Sequence, residues 1–211
     1  MKLFLFILVL VLALPQVQSH GYITSPMTEF KDGTGMKTSY IDRFSPTFSG
    51  KFDGSPKDNT ATFLTAFASS PFRTLRDFLK DKGPYCGSTN PNASPKPIPA
   101  DNAIVWENPD TREGFVASHM GPCEVWLGET RVFYDDNCAG HFTSSPARIP
   151  INFSSCSGGC LLQFFWLALH EPQWQVYKNC IPIAPNGIRL ASISPSMNSE
   201  TKNQTAPLIC S

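Results

Sequence analysis

The sequence carries no net charge: 17 basic residues balance 17 acidic ones. Nothing in it therefore draws the whole molecule to nucleic acid or to an anionic membrane face. Long apolar runs are also scarce. Beyond the N-terminus the best is 161–169, nine residues interrupted by Gln163, well short of the about 20 that span a bilayer. No repeat and no second domain pattern is visible, which sets aside solenoid and tandem architectures. No paired-carboxylate or nucleophile motif stands out, which disfavours hydrolysis. Histidine is sparse, at four residues, so each one can be weighed individually.

What is present begins with a leader. Met1-Lys2 gives a positive start, Leu3 to Leu14 is an apolar run of twelve, and Val17 and Ser19 stand at −3 and −1 of a cleavage point. That layout is a secretory signal peptide over 1–19; it predicts a secreted, extracellular protein, membrane-free after cleavage. Loss of Lys2 leaves 16 basic against 17 acidic residues, a formal charge of −1. All seven cysteines follow the leader, as expected of a disulfide-bonded secreted domain. Asn92, Asn152 and Asn203 begin glycosylation motifs that agree with secretion.

Residues 30–62, rich in Lys, Asp, Gly, Ser and Thr, read as long loops. Ser70-Pro71 looks like an N-cap with proline at the first helical position, and Phe72, Leu75, Phe78 and Leu79 fall on one face, predicting a short helix over 71–80. From 103 onward, short apolar or alternating runs at 103–107, 123–128, 130–135, 148–153, 160–169 and 174–179 are separated by turn signals. This pattern predicts an all-β fold, an immunoglobulin- or fibronectin-like antiparallel β-sandwich. One domain over 20–187, monomeric, would be followed by an irregular extension over 188–211.

Cleavage after Ser19 would make His20 the N-terminal residue. An N-terminal histidine can chelate one metal ion through its α-amino group and Nδ1. The amine, with pKa about 7.7–8.0, gives up its proton to a metal at little cost near neutral pH. One more imidazole completes three nitrogen ligands, a set that suits Cu(II) with open positions better than tetrahedral zinc. The partner is His119, His141 or His170. His119 lies in Ser118-His119-Met120-Gly121-Pro122-Cys123, a stiff loop entering a strand; His141 lies in a polar turn, and His170 ends an apolar run.

His20-Gly21, Ser118 to Trp126, Trp106-Glu107-Asn108-Pro109-Asp110, Thr130-Arg131-Val132-Phe133 and Leu167-Ala168-Leu169-His170-Glu171-Pro172-Gln173-Trp174-Gln175-Val176-Tyr177-Lys178-Asn179-Cys180 together resemble lytic polysaccharide monooxygenases. Among these the ordered set is most similar to the oomycete group, auxiliary activity family 17. The resemblance implies copper ligation by His20 and His119, with Tyr177 axial. It also implies that Gln175 and His170 are hydrogen-bond donors to oxygen species beside the metal. A single copper ion, an external electron donor, and hydrogen peroxide or dioxygen would together break a polysaccharide chain oxidatively.

The same resemblance implies plant cell-wall pectin, as de-esterified homogalacturonan, with cellulose or chitin as alternatives. A polyanion suits basic residues, and Lys31, Lys37, Arg43 and Lys51 in the early loops are candidates, with Tyr22 beside the ligand. It further implies that Cys180 ties its strand to an earlier loop through Cys86. Cys123 and Cys138 flank two strands of a hairpin and can face each other. Cys156 can close on Cys160, leaving Cys210 over, or Cys210 can take one of them. A non-catalytic copper carrier and a disulfide-rich binding protein with incidental histidines are the competing classes.

Overall fold

A computed structural model describes residues 20–185. The leader, the extension over 188–211, Asn203 and Cys210 lie outside them. The fold is an antiparallel β-sandwich with eight strands in two sheets. Strand β1 is Tyr22–Ser25 and β2 is Asp42–Phe44; helix α1 is Pro56–Ala68 and α2 is Leu75–Leu79; β3 is Ala103–Glu107, β4 Cys123–Leu127 and β5 Thr130–Asp135. Helix α3 is Cys138–His141, β6 is Ala147–Pro150, β7 is Cys160–Ala168 and β8 is Trp174–Ile183. The smaller sheet runs β1-β3-β6 and the larger β2-β8-β7-β4-β5.

Side chains alternate along β7 and β8, yet both strands are buried almost throughout. The inward residues Phe164, Trp166, Tyr177 and Ile181 pack against Ile23, Ile104 and Trp106 of the smaller sheet. The outward residues Phe165, Leu167, Trp174 and Val176 are covered by Phe63 of α1 and Leu75, Phe78 and Leu79 of α2. Burial on both faces explains why the run over 160–169 is continuous rather than alternating.

The helices correct the sequence expectation. Helix α1 crosses out of a segment expected to be loop. Ser55 caps it, its hydroxyl accepting the Asp58 amide at 3.2 Å, with Pro56 in the first turn. Its apolar face is narrow, with Phe63 the only large side chain it fully buries, so the helical period is faint. Helix α2 begins later than expected. Thr74 caps it, while the Ser70 hydroxyl holds only the Phe72 amide, at 3.2 Å. The buried Glu124 carboxylate sets that start, accepting the Leu75 and Arg76 amides at 2.9 and 3.1 Å. At the other end the buried Lys178 ammonium donates to Leu79 O at 2.7 Å. An anion at the N-terminus and a cation at the C-terminus oppose the helix dipole at both poles. Burial pulls the Lys178 pKa from 10.5 down to about 8, partly offset by Asp42 and Asp81.

Strands β1 and β2, of four and three residues, were not expected, and both matter to the site. All three expected disulfides are present: Cys86–Cys180, Cys123–Cys138 and Cys156–Cys160, with Cα separations of 5.2, 5.9 and 5.3 Å. They are the kind an oxidising compartment supports. Among the described residues, no helix is long and apolar enough to cross a membrane.

Candidate metal centre

His20 stands immediately before β1, and Gly21 determines how near it comes to the smaller sheet. A Cβ at Gly21 would lie 2.7 Å from the backbone oxygen of Glu107 on β3, so only glycine permits this approach. Strand β1 is also tied to the larger sheet: the Ile23 amide donates to Asn179 Oδ1 on β8 at 2.8 Å. The two ties hang His20 over the inward face of β8.

His119 is fixed from the other side. Its loop continues the line of β4 along β7, through Leu167 N to Pro122 O at 3.1 Å and Leu169 N to Met120 O at 2.9 Å. Gly121, at φ +148°, passes so close that a Cβ would meet Leu167 O at 2.0 Å. The Cys123–Cys138 disulfide anchors the end of this loop. His119 Nδ1 lies 3.0 Å from Ser118 Oγ.

The two rings meet at 5.7 Å between centroids and 73° between planes. Tyr177 lies beneath, 5.9 Å from the His20 ring and stacked at 4.5 Å on Trp166. Its hydroxyl donates to Gln175 Oε1 at 2.9 Å; the two residues share a face of β8. His170 stacks on His119 at 3.6 Å. The structure thus gathers His20, His119, His170, Gln175 and Tyr177. His141 lies elsewhere, exposed at the end of α3 and paired with Asp135 at 2.8 Å.

Burial lowers the pKa of His20, with Glu171 and Gln175 acting against it. His119 falls to about 3, through burial first and then through the neighbouring His170 and His20. Burial also lowers His170, opposed chiefly by Glu171. All three rings are therefore neutral at pH 7, the state in which imidazole ligates a metal. Tyr177 is driven well above its usual range by burial, then by Tyr40 and Glu171, and stays a phenol. His20 Nδ1 is buried without a hydrogen-bond partner; Gln175 favours the charged ring but does not bond this atom. An orphaned ring nitrogen on a neutral imidazole whose ring lies 5.7 Å from that of a second histidine fits a metal held by nitrogen donors. Among the described residues, the trio of ligand atoms already within 4.8 Å of one another is Asp135, Asp136 and His141.

The basic candidates are dispersed. Lys31 is exposed and donates to Gly87 O at 3.0 Å. Lys37 lies 5.5 Å over the Phe30 ring, and Phe30 meets the half-buried Tyr22 edge-on at 4.9 Å. These two candidates are therefore joined by a phenylalanine. Arg43 is exposed on edge strand β2, directly opposite Gln175 in the register, so both project from the same face. Lys51 is exposed in the loop before α1.

Three residues of the site were not singled out from sequence. Tyr40 meets the His20 ring edge-on at 5.7 Å; it is distant in sequence and carries no local signal. Trp166 supports Tyr177 and reads as ordinary core. Glu171 accepts from Gln175 Nε2 at 3.3 Å and lies 3.5 Å from His170 Nε2; its position directly after His170 was the one clue available. Neither a protein-family model nor a curated protein matches the chain.

Proposed function

We propose that this chain is the precursor of a secreted copper-dependent lytic polysaccharide monooxygenase acting on pectin, as homogalacturonan. One observation carries the reading. The residue that follows the expected cleavage point presents a buried, unpartnered Nδ1 beside His119, with their rings 5.7 Å apart. Once freed, the His20 amine and Nδ1 would join His119 as three nitrogen donors, a set that suits copper. When bound, copper would exchange electrons with an external donor and support insertion of oxygen from hydrogen peroxide or dioxygen into a C–H bond of the glycosidic linkage.

The protein's part is to hold and shape. Ser118, bonded to His119 Nδ1, orients the ring and would leave Nε2 to hold the metal, as partners of metal-ligating histidines do. Tyr177 remains a phenol, anchored by Gln175 and backed by Trp166, and closes one side of the centre with an apolar ring. Arg43, on the same face as Gln175, and Lys37, beside Phe30, are cations suited to a carboxylate-bearing polymer.

The test is to incubate the copper-loaded chain beginning at His20 with homogalacturonan, reductant and peroxide, and to seek oxidised oligosaccharides by mass spectrometry. Extending the chain before His20 is expected to abolish activity; retained activity in that form overturns the reading. A second reading, a non-catalytic copper carrier, is favoured by the Glu171 carboxylate, which acts electrostatically on His20. Tight copper binding without oxidation of pectin, cellulose or chitin would select it.

A further inference from the structure

The polar side chains around the centre are linked through Glu171. It opens the turn from β7 to β8. Its Oε2 accepts Gln175 Nε2 at 3.3 Å, and its Oε1 lies 3.5 Å from His170 Nε2. Gln175 Oε1 in turn accepts the Tyr177 hydroxyl at 2.9 Å. The links form one chain: phenol, amide, carboxylate, imidazole.

Each link removes a choice. An isolated amide can sit either way round. Between a phenol that donates and a carboxylate that only accepts, Gln175 has one orientation, with Oε1 toward Tyr177 and Nε2 toward Glu171. A neutral imidazole carries its proton on one nitrogen or the other, and the group beside it decides which. A carboxylate beside Nε2 favours Nε2–H. Nδ1 of His170, buried and without a hydrogen-bond partner, is then left with its lone pair bare.

We propose that Glu171 is a positioning residue of this centre, fixing the amide of Gln175 and the Nε2–H form of His170. The proposal rests on the histidine-brace reading for its role in turnover. It reverses the part expected of His170: in the Nε2–H form its proton is directed at Glu171 and its buried Nδ1 carries none, while Gln175 keeps a second N–H to donate. Glu171 itself touches neither metal nor substrate in this scheme.

The experiment uses the chain beginning at His20, labelled with ¹⁵N at histidine and glutamine, first without metal at pH 7.5. The wild type is expected to show His170 in a single Nε2–H form and a sharp, slowly exchanging Gln175 amide pair. In Glu171→Ala the His170 shifts move toward the averaged values of a tautomer mixture, and the Gln175 amide signals broaden. Glu171→Gln, which keeps an acceptor carbonyl, preserves more of the Gln175 order than of the His170 order. Copper affinity stays within about threefold in both variants, while the Cu(II) paramagnetic resonance spectrum shifts and peroxide-driven turnover falls about 10-fold. The glutamate is exposed, so both variants should melt with the wild type. Unchanged His170 and Gln175 signals in Glu171→Ala overturn the proposal. Failure of the wild type to bind copper would instead overturn the brace reading, and the metal-free comparison would still decide the role of Glu171.

Discussion

A single methyl group at position 21 tests how the fold builds the centre. In Gly21→Ala the new Cβ would fall 2.7 Å from Glu107 O and 2.8 Å from its carbonyl carbon. Ordinary contact begins at 3.4 Å, so the backbone must open by about 0.7 Å. Both obstructing atoms are backbone of β3, and the adjacent Tyr22 pairs with Glu107, so no side chain can rotate away. Forced overpacking of this kind costs about 1–3 kcal/mol, or roughly 2–12 °C in melting temperature for a domain of this size. The displacement falls on the residue next to His20, and the proposed copper–nitrogen geometry would tolerate little of it. Copper affinity of the chain beginning at His20 should drop about 10-fold or more, measured by competition with a chelator of known affinity. Gly158→Ala, whose Cβ meets nothing within 4 Å, serves as the control. If Gly21→Ala melts with the wild type and binds copper within twofold of it, the close approach of β1 to β3 does not position His20.

Other expectations follow from particular contacts. Tyr177→Phe keeps the stack on Trp166 but loses the bond to Gln175, so it should destabilise by about 1 kcal/mol in denaturant titration and alter the Cu(II) resonance spectrum. Glu124→Gln replaces a buried carboxylate that accepts from the Leu75 and Arg76 amides, Trp126 Nε1 and Arg131 Nη1. An amide cannot accept from all four, and a loss of about 2–4 kcal/mol is expected. Lys178 binds its proton less tightly folded than unfolded, with pKa about 8 against 10.5. Between these values the unfolded chain holds more protons, so stability should rise with pH over that window, by up to about 3 kcal/mol. The rise should be absent in Lys178→Met; equal pH slopes in the two proteins would refute it.

The runs that read as strands from sequence are those whose pattern is local. Strands β3, β4 and β5 appear within a residue of their expected positions, because their neighbours in the chain supply the turns. The Cys123–Cys138 and Cys156–Cys160 pairs were legible for the same reason, lying 15 and 4 residues apart. Cys86–Cys180 spans 94 residues and came from family resemblance rather than local pattern. Helix α1 was hidden because its first turn is polar and its buried stripe is narrow. Its anchor is an outside contact, Asn59 Nδ2 to Leu169 O at 2.8 Å.

The chemistry available to this protein was legible in the sequence alone: a histidine directly after an expected cleavage point, few other imidazoles, and a tyrosine and glutamine two residues apart. Period-two geometry on a strand guaranteed that Gln175 and Tyr177 would share a face. Which groups surround them was decided only by the tertiary structure. Tyr40 against His20, Arg43 opposite Gln175, and Trp166 under Tyr177 are contacts between segments far apart in the chain. Glu171 was adjacent all along, but its reach to both Gln175 and His170 depends on how the β7–β8 turn folds back. Residue identity and spacing are local properties; proximity is set by the packing of both sheet faces, which no single stretch of sequence contains.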